Sequence, residues 1–441
     1  MNQAEVLDVR AFINARKMSA FQWGLVVLCF LIVAVDGMDV AIMGFVAPSI
    51  LGEWHISRPA FGVVMGAAPI GLAVGALLAG SSADWFGRRK VLLASVLGFG
   101  LATLATAHAS SPQSMATLRF ITGLALGAAM PNTTTLISEY IPERIRSSVI
   151  ATMFTGFNLG SAAIGFAAAW LTPRYGWQAV LTFGGLMPLI LLPFMFFLLP
   201  ESARYLVGKG APAERVRPLL SRVCQVSLDS YKVFVSQEAA VSAKQPLGVL
   251  FSQGYALKTF SLWLTYFMGL LVIYLTTSWL PTMMKDAGIS IDRASTLTAM
   301  FQLGGTVGAI AVGFAMDRIK PSRVISASYL LGGVALVVLG SSGLNSAWIV
   351  LAILATGFCL SGAQTGLNAY APGCYPTMAR ATGVSWMLGV GRLGSILGSS
   401  IGGVLLSLGW GFEAIFLMLA VPAVIAAASI LGGSLQARTQ A

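Results

Sequence analysis

Polar residues in this chain gather in short clusters, and between the clusters apolar residues run for about twenty positions at a time. A helix of about 20 apolar residues, rising about 1.5 Å per residue, crosses the hydrocarbon core of a bilayer. Twelve such runs are legible, over 21–47, 60–82, 90–108, 115–137, 147–171 and 176–199, then 257–280, 294–316, 322–342, 346–369, 381–407 and 411–432. The pattern predicts an all-α integral membrane protein with 12 transmembrane helices. The polar remainder divides the chain into an N-terminal segment 1–20, a six-helix bundle 21–199, a linker 200–256, a second six-helix bundle 257–432 and a tail 433–441. Segment 1–20 lacks a short apolar core followed by a small-residue cleavage site, so the first helix is read as its own insertion signal.

Composition agrees: 56% of the residues are hydrophobic, only 10% are charged, and the mean hydropathy is +0.81. Soluble domains carry about a quarter charged residues. The formal net charge of +11 matters through its location. With a cytoplasmic N-terminus, 21 of the 27 Lys and Arg fall in cytoplasmic segments, four outside (Arg58, Arg174, Lys285, Arg293) and two, Arg119 and Arg392, within helices. This positive-inside asymmetry places both termini in the cytoplasm. Basic residues dispersed over loops beside anionic lipid do not form a nucleic-acid patch, so the expected surroundings are membrane lipid and no nucleic acid. Cys29, Cys224, Cys359 and Cys374 make no disulfide framework, and His55 and His108 make no metal site. No P-loop, HExxH or GxSxG occurs in a credible context, so an enzyme is not expected.

The two bundles are copies of one unit. Pro48 and Pro281, Gly75 and Gly308, Gly80 and Gly313, and Asp84 and Asp317 are each separated by 233 positions. Pro142 and Pro376, and Arg146 and Arg380, are separated by 234. A near-constant offset predicts two parallel six-helix repeats. GxxxG spacings at Gly71/Gly75, Gly123/Gly127, Gly156/Gly160, Gly304/Gly308 and Gly394/Gly398 predict close helix contacts.

Candidate chemistry starts in the first helix, where LCFLIVAVDGMDVAIMGF carries Asp36 and Asp39 in an otherwise apolar run. An unpaired carboxylate facing lipid is costly, so the face bearing both acids should line a central cavity. Asp36 lies roughly 22 Å above the start of its helix, and Arg392 roughly 16 Å into the eleventh, both near mid-membrane at ~1.5 Å per residue. Flat apolar walls and hydrogen-bond partners for a ligand are sought in Tyr266, Tyr274, Phe301, Gln302, Gln364, Asn368, Trp386 and Asn158, the last being the repeat-mate of Arg392. Trp23 and Trp279 read as membrane-interface anchors. GSSADWFGRRK after the second helix and GFAMDRIK after the eighth place Asp84 and Asp317 beside Arg88, Arg89 and Arg318. Acids at such junctions can grip a neighbouring helix end and release it as the halves rock, with Glu139, Arg146 and Arg380 in the same latch and Glu139 paired to Arg146.

GSSADWFGRRK, RFITGLALGAAMPNTTTLISEY and LPESARYLV resemble segments of the major facilitator superfamily. DGMD, and YPTMARATGVSWMLGVGRLGSILG leading into the eleventh helix, resemble the bacterial aromatic acid:H+ symporters, with 4-hydroxybenzoate and protocatechuate permeases nearest. The resemblance implies the major facilitator fold in the inner membrane, transport-linked acids at Asp36 and Asp39, and proton symport of an aromatic carboxylate. Arg392 then holds the substrate carboxylate, and Asp36, Asp39 or both carry the proton. Arg119, counted among the substrate-facing residues, pairs with one acid in the empty state. No cofactor is expected beyond the proton gradient, and a monomer is. Other organic anions (benzoate, gallate, muconate), an efflux antiporter and a membrane ligand sensor are the alternatives. Helix 5 lacks the Gly-Pro pair that the resemblance to antiporters would require.

Overall fold

Each apolar run becomes one helix long enough to cross a membrane. In chain order the membrane helices are α1 (Ala20–Trp54), α2 (Arg58–Phe86), α3 (Arg88–Thr106), α4 (Pro112–Tyr140), α5 (Glu143–Tyr175), α6 (Trp177–Leu198), α7 (Ala256–Asp286), α8 (Ile291–Arg318), α9 (Pro321–Ser341), α10 (Ile349–Tyr370), α11 (Thr377–Ser407) and α12 (Phe412–Thr439). The computed structural model describes residues 6–228, 231, 233–235, 248, 250–252, 255–342, 348–375 and 377–439, excepting the side chains of 80, 81, 84, 377, 378, 381 and 435–439. Several helices start at residues chosen for the purpose. Ser19 caps α1 and Gln22 answers it in a capping box, while Ser111 caps α4 ahead of Pro112 in the first turn. The first and seventh predicted spans stop one residue short of Pro48 and Pro281, yet α1 and α7 continue through both prolines. Neighbouring helices in a membrane bundle tolerate the missing donor, so proline is a weak stop signal there.

The same helix pairs close in both halves. Gly71 and Gly75 of α2 face the carbonyls of Phe120 and Leu124, and Gly123 and Gly127 of α4 face those of Ala68 and Leu72. In the second half Gly304 and Gly308 of α8 face the carbonyls of Leu354 and Phe358 in α10. Gly156 and Gly160 seat α5 on Phe30 and Ala34 of α1, as Gly394 and Gly398 seat α11 on Phe267 and Leu271 of α7. Backbones this close leave no room for a Cβ. Gly308→Val is therefore expected to cost about 1–3 kcal/mol or more through overpacking, measured as a fall in the melting temperature of the detergent-purified protein. An unchanged melting temperature would contradict the packing described.

The halves meet along α1 with α7, α2 with α11 and α5 with α8. They are shut at the face opposite the chain ends. There Gly44 packs on the Thr277 carbonyl and Gly62 on that of Ser400. Phe61 stands edge-on to Trp279 with ring centroids 6.4 Å apart, and Arg58 pairs with Asp286 at 2.6 Å. Trp279 is thus no interface anchor: it is fully buried and donates from its indole nitrogen to the Ser399 carbonyl at 2.7 Å. Trp23, at the start of α1, is half exposed.

At the opposite face the polar segments are more structured than an all-helical reading expects. Val6–Asp8 pairs in parallel with Val233–Val235 of the linker. A short helix, Val9–Asn14, follows the first strand, and the linker forms two more, Ala203–Gly208 and Ala213–Cys224. The last of these buries Val216, Leu220 and Val223 along one stripe.

Candidate functional site

Asp39 and Arg119 meet where α1 crosses α4. The guanidinium donates from Nη2 to Asp39 Oδ2 at 2.7 Å and from Nη1 to Oδ1 at 3.1 Å, and Nη2 also reaches the Asp39 carbonyl at 3.2 Å. Thr103 of α3 donates a further hydrogen bond to Oδ1. Both charged side chains are fully buried. Two parallel N–H···O bonds neutralise each charge where water cannot. Thr103 escaped the sequence reading, since an isolated hydroxyl in a helix gives no sign of its partner.

Asp36, almost one turn earlier, is equally buried but differently served: its Oδ1 has no hydrogen-bond partner among the described residues. Gly37 beside it lets α1 touch the Phe157 carbonyl of α5, and Ser161 ties the two helices by donating to the Gly37 carbonyl at 2.8 Å. Arg392 of α11 acts electrostatically on Asp36 across the halves, with no direct ion pair between them among the described residues. Tyr274 lies within electrostatic reach of both Arg392 and Asp36. Tyr266, one face of whose ring lies against Gly391, turns its hydroxyl toward Gln364 and Asn368. Tyr329 of α9, unforeseen from the sequence, donates to Gln364 Oε1 at 2.6 Å. The cluster is thus one acid, one cation, three phenols and two amides around the junction of the halves.

Arg392 is only partly buried, and Asn368, Ser385 and Gly389 are exposed on the side of the chain ends. Water therefore reaches the cluster from that face while the other is shut. A narrow cavity continues past Tyr274 toward Arg119, lined also by Met43, Met65, Leu126 and Ser399. Asn158 borders the site from α5, with its Nδ2 toward Gly305 of α8. Gln302 donates to Thr277 Oγ1 at 3.3 Å and is buried between α8 and α7. Phe301 is fully buried.

Trp386 does not belong to this set. It is half exposed, stacked on Trp263 at 5.7 Å, on the outer stripe of α11 shared by the exposed Leu393, Leu397 and Val404. Six residues separate it from Arg392, which at 3.6 residues per turn turns it about 120° away from the cavity.

The latch residues also rearrange. Glu139 is not the partner of Arg146. It accepts from the Ser202 hydroxyl and lies 3.9 Å from Arg88, whereas Arg146 reaches Glu143 at 3.8 Å and the Ile141 carbonyl at 3.4 Å. Glu201, just after α6, accepts from the Arg89 backbone N–H at 3.1 Å, and Arg89 also donates to the Phe196 carbonyl. In the second half Asp317, Arg318 and Arg380 are exposed, with no ion pair among the described residues. The Asp84 side chain lies outside the described residues.

Two equivalent six-helix halves, closed on one face around buried ionisable groups midway along the helices, define a secondary transporter. The chain belongs to the major facilitator superfamily, whose family model matches residues 29–290 and 262–435. It is 55% identical over 425 residues to a gallate transporter of Pseudomonas putida, covering 96% of this chain and 94% of that one. It is 49% identical over 428 residues to the 4-hydroxybenzoate transporter PcaK of Pseudomonas aeruginosa, covering 97% and 96%. The fold matches a D-xylose-proton symporter with a TM-score of 0.74 at 15% sequence identity, over 93% of this chain and 97% of the other. The protein is accordingly a multi-pass inner-membrane transporter and not an enzyme.

Proposed function

We propose that the protein takes up an aromatic carboxylate such as 4-hydroxybenzoate, protocatechuate or gallate in symport with a proton, by alternating access. One observation carries this reading: a buried carboxylate, Asp36, with an unpartnered oxygen beside a solvent-reached cation, Arg392. In the empty state Arg392 is the countercharge of Asp36. A substrate carboxylate that takes the guanidinium removes that countercharge, and Asp36 then holds a proton instead. Release of the substrate returns Arg392 to Asp36, which sheds the proton on the same side. Asp39, saturated by Arg119 and Thr103, holds the local field fixed in this cycle. The phenols of Tyr266 and Tyr274 supply walls for a flat ring.

The distribution of Lys and Arg makes the face with the chain ends cytoplasmic, so this conformation opens inward. On this reading 21–199 and 257–432 rock about the site, the 200–256 linker follows on the cytoplasmic side, and the monomer runs on the proton gradient without a cofactor. The names of the two Pseudomonas relatives support the substrate class.

Arg392→Ala removes a charge-assisted pair at a desolvated site, a loss of about 2–5 kcal/mol. Affinity for 4-hydroxybenzoate, measured by isothermal titration of the purified protein, is expected to fall at least about 30-fold. Undiminished affinity would contradict the assignment of the carboxylate to Arg392.

A further inference from the structure

Among the described residues, two buried polar atoms in the cluster have no hydrogen-bond partner, one on α1 and one on α10. One is Asp36 Oδ1, next to Arg392; the other is Gln364 Nε2 in α10. Gln364 is 7% exposed, and its other amide atom, Oε1, is already taken by the Tyr329 hydroxyl at 2.6 Å. Tyr329 is itself fully buried and packs with Gln364 against Gly269, where any Cβ would collide with both polar ends. Turning the amide over would make the phenol accept from Nε2 and leave its own O–H without an acceptor among the described residues, so Oε1 stays on the phenol and the N–H₂ group turns toward Tyr266. A buried N–H without an acceptor is costly, and the cost disappears when a ligand supplies an oxygen.

We infer that Gln364 is the specificity residue that reads a hydroxyl on the ring edge remote from the carboxylate, and that Tyr329 is the positioning residue that fixes which amide atom faces the substrate. The inference rests on the transport reading above, with the carboxylate on Arg392. Tyr266 links the two ends, since it neighbours both Arg392 and Gln364. Among the described residues the groups placed at the remote end are neutral, the amides of Gln364 and Asn368 and the phenols of Tyr266 and Tyr329. A neutral hydroxyl suits that surface and a second carboxylate does not, which sets hydroxybenzoates ahead of dicarboxylates such as muconate. Benzoate would fill the same space but leave Gln364 Nε2 unpaired, and a site built to hydrogen-bond a hydroxyl discriminates against the analogue that lacks it.

The test is equilibrium binding of 4-hydroxybenzoate and of benzoate to the full-length protein in detergent, for wild type, Gln364→Leu and Tyr329→Phe. Wild type is expected to prefer 4-hydroxybenzoate at least about tenfold. Gln364→Leu should reduce that ratio to near one, 4-hydroxybenzoate losing more affinity than benzoate, and Tyr329→Phe, which deletes one oxygen and little volume, should lower the ratio several-fold in the same way. A purely structural role for Tyr329 would weaken both ligands equally. A wild-type ratio preserved in both variants, with benzoate still bound, would overturn this inference and leave the transport reading intact. Failure of wild type to bind 4-hydroxybenzoate, benzoate, protocatechuate and gallate alike would overturn both.

Discussion

Asp36→Asn is expected to abolish gradient-driven accumulation of substrate while leaving substrate exchange across the membrane in place. The amide keeps the shape of the carboxylate but never changes charge, so Arg392 loses its countercharge and the carrier has nothing to protonate when the substrate takes the guanidinium. Substrate binding should survive, because Arg392 becomes more available. The check is entrance counterflow against net accumulation in proteoliposomes: counterflow within several-fold of wild type, and an accumulation ratio of about one. A variant that still accumulated substrate would move the proton to another group, with Asp39 the first candidate.

Arg119→Leu is expected to be the most destabilising single change in the membrane core. It strands an ionised Asp39 that is fully buried and accepts two hydrogen bonds from the side chain it has lost. Removing one partner of a buried pair costs about 3–5 kcal/mol, whereas removing both charges together costs far less. The measurement is thermal unfolding of Arg119→Leu, Asp39→Asn and the double variant. Both single variants should melt well below wild type, and the double variant should recover part of the loss. Additive losses would mean that the two charges do not stabilise each other.

Sequence periodicity made the helix number, the parallel repeat and the close glycine contacts legible because each follows from local pattern or a constant offset. Asp36, Asp39, Arg119 and Arg392 stood out for a similar reason, as ionisable groups in apolar runs have few explanations. What remained illegible was partnership across helices. Nothing near Glu139 in the chain indicates that Ser202 and Arg88 hold it, because the segment after α6 folds back under α2 and α4. Nothing near Gln364 points to Tyr329 on the preceding helix. Trp386 and Trp279 were misplaced for opposite reasons. The helical phase of Trp386 relative to Arg392 was available in the sequence and excludes it from the cavity. The burial of Trp279 was hidden by a proline that ended the predicted helix too soon.

Whether a proton gradient drives an aromatic carboxylate across the membrane is measured with the wild-type protein in proteoliposomes and radiolabelled 4-hydroxybenzoate. With an imposed inward proton gradient, internal label is expected to rise above the external concentration and to collapse to equilibrium when a protonophore is added. Uptake that stops at equilibrium whether or not the gradient is present would contradict it.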